Sequence, residues 1–157
     1  MISYIFFIIL TVIALWCMLQ ISIADFRRRI IPDAYLVPLM LIGLIFISFF
    51  SYPINITNAA IGATFGYISS VTIGLIFDYK MRKKNATITP PIGMGDIKLI
   101  TVGGLWLGVG GLSYALIIAC ITGAIWARHN KQKFIPFAPF FIIGGILSFL
   151  LCLFLIY

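Results

Sequence analysis

Long apolar segments alternate along the chain with short polar stretches. There are six apolar segments, covering residues 3–24, 34–50, 58–77, 97–107, 112–127 and 137–157. A helix of about 20 apolar residues crosses the hydrocarbon core of a bilayer and satisfies its own backbone hydrogen bonds there. The fourth segment is short and would extend only about 17 Å as a helix. The pattern predicts an all-α integral membrane protein, a bundle of about six transmembrane helices.

Glycines surround the junction between the fourth and fifth segments, at Gly103, Gly104, Gly108, Gly110 and Gly111. Small residues allow helices to approach closely in lipid, and they permit a broken element where protein covers the backbone. The run therefore predicts a tight helical hairpin buried in the bundle.

Lysine and arginine lie in alternate polar stretches, 25–33, 78–96 and 128–136, apart from Lys98 at the edge of the fourth segment. Cytoplasmic loops of membrane proteins collect these residues. Six crossings place all three stretches inside, whereas five would move 128–136 outside. We therefore expect the N-terminus and C-terminus outside and a single membrane-embedded domain over residues 1–157. The first segment has neither a basic start nor a small-residue cleavage site, so it is predicted to be a retained helix.

The composition excludes a soluble domain, since apolar residues make up 62% of the 157 and charged residues only 10%. The net charge of +7 has no soluble basic face to act through, so no nucleic-acid partner is expected. The basic loops would instead attract anionic lipid headgroups on the cytoplasmic side.

Only four carboxylates are available for acid–base chemistry, namely Asp25, Asp33, Asp78 and Asp96. In the predicted topology all four lie at cytoplasmic ends of helices. Asp33 follows a proline and precedes the second segment, which favours an N-cap. Asp78 begins a basic loop, where pairing with Lys80 or Arg82 is sufficient to explain it.

Asp25 and Asp96 have two interpretations each. Asp25 could pair with Arg28 or Arg29 in an interfacial loop. Asp96 could be the N-cap of the fourth helix. Alternatively, the two could form an aspartic dyad, in which like charges share one proton.

In such a dyad the ionised member activates water and the protonated member polarises the scissile carbonyl, and the two titrate as a unit. Gly93 and Gly95 would let an extended substrate backbone approach, and Lys98 is expected to reach the interface. His129, the single histidine, lies in a basic loop and is predicted to be solvated. The three cysteines form no C-x-x-C pair, so neither a metal site nor a cofactor is predicted.

Three stretches resemble the motifs of bacterial type IV prepilin peptidases, in the family's order. They are D-F-R-R-R-I-I-P-D at 25–33, G-M-G-D-I-K at 93–98 and I-P-F-A-P-F at 135–140. The resemblance implies a membrane aspartic endopeptidase that removes the basic leader of prepilins or pseudopilins at the cytoplasmic face of the bacterial cytoplasmic (inner) membrane. It implies catalytic roles for Asp25 and Asp96, with Gly93, Gly95 and Lys98 as substrate-binding or supporting residues.

The larger members of that family carry an N-terminal domain with paired C-x-x-C motifs, associated with N-methylation. Only 24 residues precede Asp25 here, so peptidase activity without methyl transfer is expected. The polar loop 78–95 is expected to help to admit the substrate.

Two other functions remain open from the residues themselves. Intramembrane carboxylates often serve transport, and the fourth segment could be a discontinuous helix of a small ion or solute transporter. A non-catalytic scaffold in a secretion or pilus machine is the third possibility.

Overall fold

The computed structural model describes residues 2–50, 52–83, 92–131 and 135–156. Within these ranges the chain forms five helices: α1 (Ile2–Arg28), α2 (Asp33–Phe49), α3 (Ile56–Arg82), α4 (Met94–Asn130) and α5 (Phe137–Ile156). By length and apolar composition α1, α3, α4 and α5 can each cross a bilayer, and α2 is a shorter apolar helix. The prediction of an all-helical, multi-pass membrane protein is confirmed.

The predicted division into six segments differs from the structure at one place. Segments 97–107 and 112–127 belong to one helical element, α4, which has 37 residues and a break at Gly108. The φ and ψ angles of Gly108 are 66° and −176°, a combination open almost only to glycine. Gly108 is the one residue with non-helical angles inside α4, so the break is sharper than the four-residue connection expected at 108–111, and α4 consists of two helical arms that meet there.

The first arm of α4, residues 94–107, runs in the same direction as α2. Near its start, the Lys98 ammonium bonds to Asp33, the first residue of α2. Two turns later the Trp106 indole N–H donates to the Leu39 carbonyl oxygen at 3.1 Å. Residue numbers therefore increase in both helices from the first contact to the second, which makes the two helices parallel.

The second arm, residues 109–130, runs antiparallel to α5. The Ser148 hydroxyl donates to the Gly111 carbonyl oxygen at 2.7 Å. Towards the end of the arm, the ring of Trp126 lies 5.7 Å from that of Phe140, near the start of α5. Trp126 also packs edge-on against Phe26 in the last turn of α1, at 5.6 Å.

The chain therefore reverses its direction at Gly108, in agreement with the predicted hairpin. Phe26 and Asp33 lie a few residues apart, where α1 leads into α2, so Trp126 and Lys98 are at the same end of the bundle. We call this end, which carries Asp25, Asp33 and Asp96, the aspartate end.

Glycine-to-glycine contact brings α3 and α4 close together. A Cβ atom on Gly62 would collide with the Gly104 carbonyl oxygen, and one on Gly104 would collide with that of Gly62. The core lies around α4, which packs most extensively against α3 and α5. Large apolar side chains on α1 and α3 point outward instead, including Tyr4, Trp16, Leu19, Ile68 and Leu75. They present apolar surface to the lipid.

Gly104→Ala is expected to lower the melting temperature in detergent, because the added methyl group forces α3 and α4 apart. Overpacking of this kind costs about 1–3 kcal/mol. Gly110→Ala is the matched control, since a Cβ atom at this exposed position of the same helix meets nothing within 4 Å. Equal melting temperatures for the two variants would contradict the close α3–α4 contact.

Candidate active site

The two aspartates singled out from the sequence come together at the aspartate end. Asp25 lies in the last turn of α1, and Asp96 lies in the first turn of α4. The carboxylates are close enough for the charge of Asp25 to act on Asp96. Asp25 is 5% exposed, and Asp96 is half-buried. Two carboxyl groups from different helices therefore share one polar site at the end of an apolar bundle.

The principal partner of Asp25 is the first turn of α5. The Ala138 N–H donates to Asp25 Oδ2 at 2.8 Å in a fully buried bond. The Phe137 N–H also acts on this carboxylate, as does the charge of Arg29. First-turn N–H groups have no acceptor within their own helix, and they carry the positive end of its dipole. The carboxylate at the end of α1 thus satisfies orphan donors at the start of α5.

Of the two arginines proposed as partners of Asp25, the structure supports Arg29. Its positive charge acts on the carboxylate, and its backbone N–H donates to the Asp25 carbonyl oxygen at 2.9 Å. Arg29 has a φ of 55°, a left-handed conformation that ends α1 just after the aspartate. Arg29 therefore acts on Asp25 as one interpretation of the sequence proposed, together with the main-chain amides of α5.

The third motif is where sequence reasoning missed a functional group. The family resemblance alone gives I-P-F-A-P-F at 135–140 no physical role, and the structure shows that this stretch contributes the Ala138 amide to Asp25. Pro139 is the third residue of α5, where its missing N–H removes a donor that the first turn leaves unpaired in any case. Proline just inside a helix start was the available signal, since it marks a turn with free amides.

Aromatic rings surround this junction and tie three helices together. Trp126 of α4 lies between Phe26 of α1 and Phe140 of α5, at ring distances of 5.6 and 5.7 Å. Phe137 stacks on Phe141 at 5.3 Å within α5. These contacts hold the end of α1 against the start of α5.

Asp96 is not the N-cap of its helix, as one interpretation of the sequence had it. The N-cap is Gly93, with φ −67° and ψ 145°, and Asp96 is the third residue of α4. Its carboxylate turns back towards Gly93, whose backbone N–H interacts with it. A Cβ atom on Gly93 would lie 3.2 Å from Asp96 Oδ2. The arrangement resembles a capping box, in which the side chain of the third residue returns to the N-cap amide.

Gly95 has an intramolecular neighbour that the sequence did not indicate. A Cβ atom placed on it would lie 3.0 Å from the Cβ atom of Ile31, a buried residue between α1 and α2. The glycine lets the first and second motifs pack together. Its role towards a substrate backbone stays a prediction, as does that of Gly93.

Lys98 makes an ion pair at the aspartate end, and its reach to the membrane interface stays a prediction. Its ammonium nitrogen lies 2.9 and 2.7 Å from the two carboxylate oxygens of Asp33. The expected N-cap role of Asp33 is wrong, because Pro32 is the N-cap residue of α2 and Asp33 is the first helical residue. The pair links the start of α2 to the first turn of α4, two residues beyond Asp96.

The remaining polar candidates lie away from the dyad or partly beyond the described chain. His129 is exposed near the end of α4, as expected for a solvated side chain. Asp78 is half-buried in α3, and the side chain of Arg82, one of its proposed partners, is not among those described. Of the loop 78–95, residues 84–91 fall outside the described ranges. No cluster of three potential metal ligands exists among the described residues.

An apolar cavity of about 250 Å³ lies deeper in the bundle, between α1, α2, α4 and α5. Its lining includes Leu15, Leu99, Trp106 and Phe141. Neither Asp25 nor Asp96 lines it, so the candidate chemistry belongs to the aspartate end and not to this cavity.

Comparison with known proteins decides the family. The profile of the type IV leader peptidase family matches residues 5–128. The chain belongs to this family. No solved structure matches the chain.

Curated relatives of this type IV leader peptidase family member are about 30% identical to it over the aligned residues. A prepilin leader peptidase/N-methyltransferase of Aeromonas salmonicida is 30% identical over 142 residues, which cover 86% of this chain and 46% of the relative. Relatives of the same name from Dichelobacter nodosus and Xanthomonas campestris are 31% and 32% identical, over 86% and 85% of this chain and 46% and 47% of the relatives. The chain spans about half the length of these relatives.

The Asp33–Lys98 pair is expected to contribute little to stability, because the two side chains are 59% and 49% exposed. A double-mutant cycle with Asp33→Asn and Lys98→Met, followed by thermal unfolding in detergent, should give a coupling of about 0.2–1 kcal/mol. A coupling above about 3 kcal/mol would show that the pair is desolvated by lipid or protein, contrary to the exposure seen here.

Proposed function

We propose that this chain is a membrane aspartic endopeptidase that removes the basic leader peptide from prepilins or pseudopilins. The observation that supports this most directly is the juxtaposition of Asp25 and Asp96, two carboxyl groups delivered by different helices to one end of the bundle. Membership of the type IV leader peptidase family and relatives named prepilin leader peptidases agree with it.

The chemistry follows from two neighbouring carboxyl groups that share one proton. The ionised carboxylate takes a proton from a water molecule, and the water oxygen forms a bond to the scissile carbonyl carbon. The protonated carboxyl donates a hydrogen bond to the carbonyl oxygen as negative charge develops there. Proton delivery to the amide nitrogen then breaks the C–N bond and releases the leader with a new carboxylate.

The site would lie at the cytoplasmic face of the bacterial cytoplasmic membrane. Arg27 and Arg28 lie in the last turn of α1 with Asp25, and Arg29 follows them. Arg128 and Lys131 lie at the end of α4, at the same end of the bundle. Basic residues favour the cytoplasmic side and anionic headgroups. With the reversal at Gly108, this gives six crossings and both termini outside.

The supporting roles of Gly93, Gly95 and Lys98 follow from what they hold in place. Gly93 leaves room for the Asp96 carboxylate, and Gly95 leaves room for Ile31. Lys98 joins the start of α4 to that of α2 through Asp33. Together they fix the turn that carries Asp96, so we propose that they act on cleavage mainly through its position.

Asp25→Asn and Asp96→Asn are each expected to reduce leader cleavage by at least about a thousandfold, because either change removes the shared proton or the base of the dyad. The assay mixes purified protein in detergent or liposomes with a prepilin that carries its leader. Asp78→Asn is the matched control, a carboxylate on α3 with no part in the proposed dyad, and it should cleave like wild type.

Cleavage that survives both dyad substitutions in folded protein would refute the aspartic mechanism. An absence of cleavage in wild type across a panel of prepilins and pseudopilins would refute the peptidase itself. Ion or solute flux abolished by the same substitutions would then favour a transporter.

We expect no methylated product from this chain, because its three cysteines form no C-x-x-C pair. Mass spectrometry of the cleaved prepilin, with S-adenosylmethionine present in the reaction, tests this.

The six-crossing topology predicts opposite accessibility for two residues of α4. In a variant with Cys17, Cys120 and Cys152 replaced, Gly110→Cys should react with a membrane-impermeant maleimide added outside intact cells. Arg128→Cys should react only after the membrane is permeabilised. Labelling of both from the same side would exclude a reversal at Gly108 within the membrane.

A further inference from the structure

The two aspartates differ in the groups that stabilise their charged forms. Asp25 accepts a buried hydrogen bond from the Ala138 N–H. The Phe137 N–H and the positive charge of Arg29 also act on its carboxylate. Asp96 has the Gly93 amide as its backbone donor. Hydrogen bonds donated to a carboxylate stabilise its charged form, and so does a nearby cation.

The bond from Ala138 also restricts where a proton can reside. Oδ2 of Asp25 accepts from an N–H group, so this oxygen has its lone pair directed at a donor. A proton on Oδ2 would weaken that bond to the buried amide, because a carboxyl O–H oxygen is a poorer acceptor than a carboxylate oxygen. A proton taken from water is therefore better accommodated on Oδ1 of Asp25 than on Oδ2.

The helix dipoles at this site have opposing effects on the charged forms of the two carboxyl groups. Asp25 lies at the end of α1, where the dipole opposes a negative charge, and Asp96 lies in the first turn of α4, where it favours one. The 20-residue helix α5 directs its own positive end at Asp25, which offsets the effect of α1. Burial disfavours the charged form of both carboxyl groups, but two amides and a guanidinium offset it at Asp25, whereas Asp96 has one amide and faces the charge of Asp25.

We propose that the first turn of α5 holds Asp25 as the ionised member of the dyad. Asp25 Oδ1 is then the base that takes the proton from water, and Asp96 carries the shared proton and donates to the substrate carbonyl. The Ala138 amide is a positioning group, because it acts through Asp25 and does not touch the reacting atoms. This assignment rests on the peptidase function proposed above.

The charged groups around Asp25 allow the effect of the amide to be isolated. Arg29 stands on its own helix and Asp96 on α4. On α2, Asp33 is bonded to Lys98. The sequence of α5 contains no charged side chain, so its influence on Asp25 is carried by main-chain donors and the helix dipole.

The test removes the Ala138 donor and follows the pH dependence of cleavage. Without the donor, Asp25 binds a proton more readily and the base is lost at higher pH. The acidic limb of kcat against pH should therefore move upward by about one pH unit. Ala138→Pro deletes the N–H at a first-turn position that tolerates proline. Ala138→Val is the control of similar size that keeps the N–H, and its acidic limb should stay at the wild-type pH.

Because Ala138 is fully buried, the proline variant requires a check on folding by thermal unfolding. If it fails to fold, replacement of residue 138 by lactic acid, which gives a backbone ester, removes the N–H and keeps the side chain. Arg29→Asn is an independent probe, since asparagine tolerates the left-handed conformation and removes the charge. It should move the limb in the same direction, and Arg28→Asn should not.

An acidic limb that stays fixed in the donor-deleted protein, while wild type cleaves and Asp25→Asn does not, overturns the assignment and leaves the peptidase intact. An upward shift in the donor-deleted and Arg29→Asn proteins, with the limb unmoved in Ala138→Val and Arg28→Asn, supports it. Failure of wild type to cleave any prepilin rejects the underlying function instead.

Discussion

The organisation of the aspartate end depends on one buried carboxylate. Asp25 sits at the end of an apolar helix with 5% of its surface exposed, where an unpaired charge would be very costly. At the start of α5 the first N–H groups have no acceptor within their own helix, so they need a partner elsewhere. Joining the two by the 2.8 Å bond to Ala138 satisfies both. It also fixes how α1 and α5 meet, and thereby where Asp96 of α4 must approach.

The hairpin of α4 supplies that approach. Gly108 reverses the chain in a single residue, so one arm can begin beside Asp25 and the other can return to pack against α5. Glycines at the α3 contact then let the first arm lie against its neighbour at backbone distance. The proposed dyad is thus built on the ends of well-packed helices, which suits a site where two like charges lie close together.

The sequence predicted what depends on local pattern and missed what depends on tertiary contacts. Apolar period, basic loops and the glycine run indicated an all-helical membrane protein with a hairpin near Gly108, and the scarcity of carboxylates directed attention to Asp25 and Asp96. The sharpness of the break in α4 was not predicted, because a single glycine in an unusual conformation takes the place of the four-residue connection expected at 108–111. The bonds from Ala138 to Asp25 and from Lys98 to Asp33 join residues 113 and 65 positions apart, which no local pattern encodes.

The donors that hold Asp25 belong to the main chain, and this has a consequence for evolution within the family. Every residue except proline carries an N–H group, so drift at positions 137 and 138 leaves the hydrogen bonds intact as long as the fold is kept. Selection on this contact acts on the path of the backbone, through residues such as Pro139 that set where α5 starts. At Ala138, which is fully buried, the side chain is constrained by its size and polarity, but any residue other than proline that fits there supplies the same N–H.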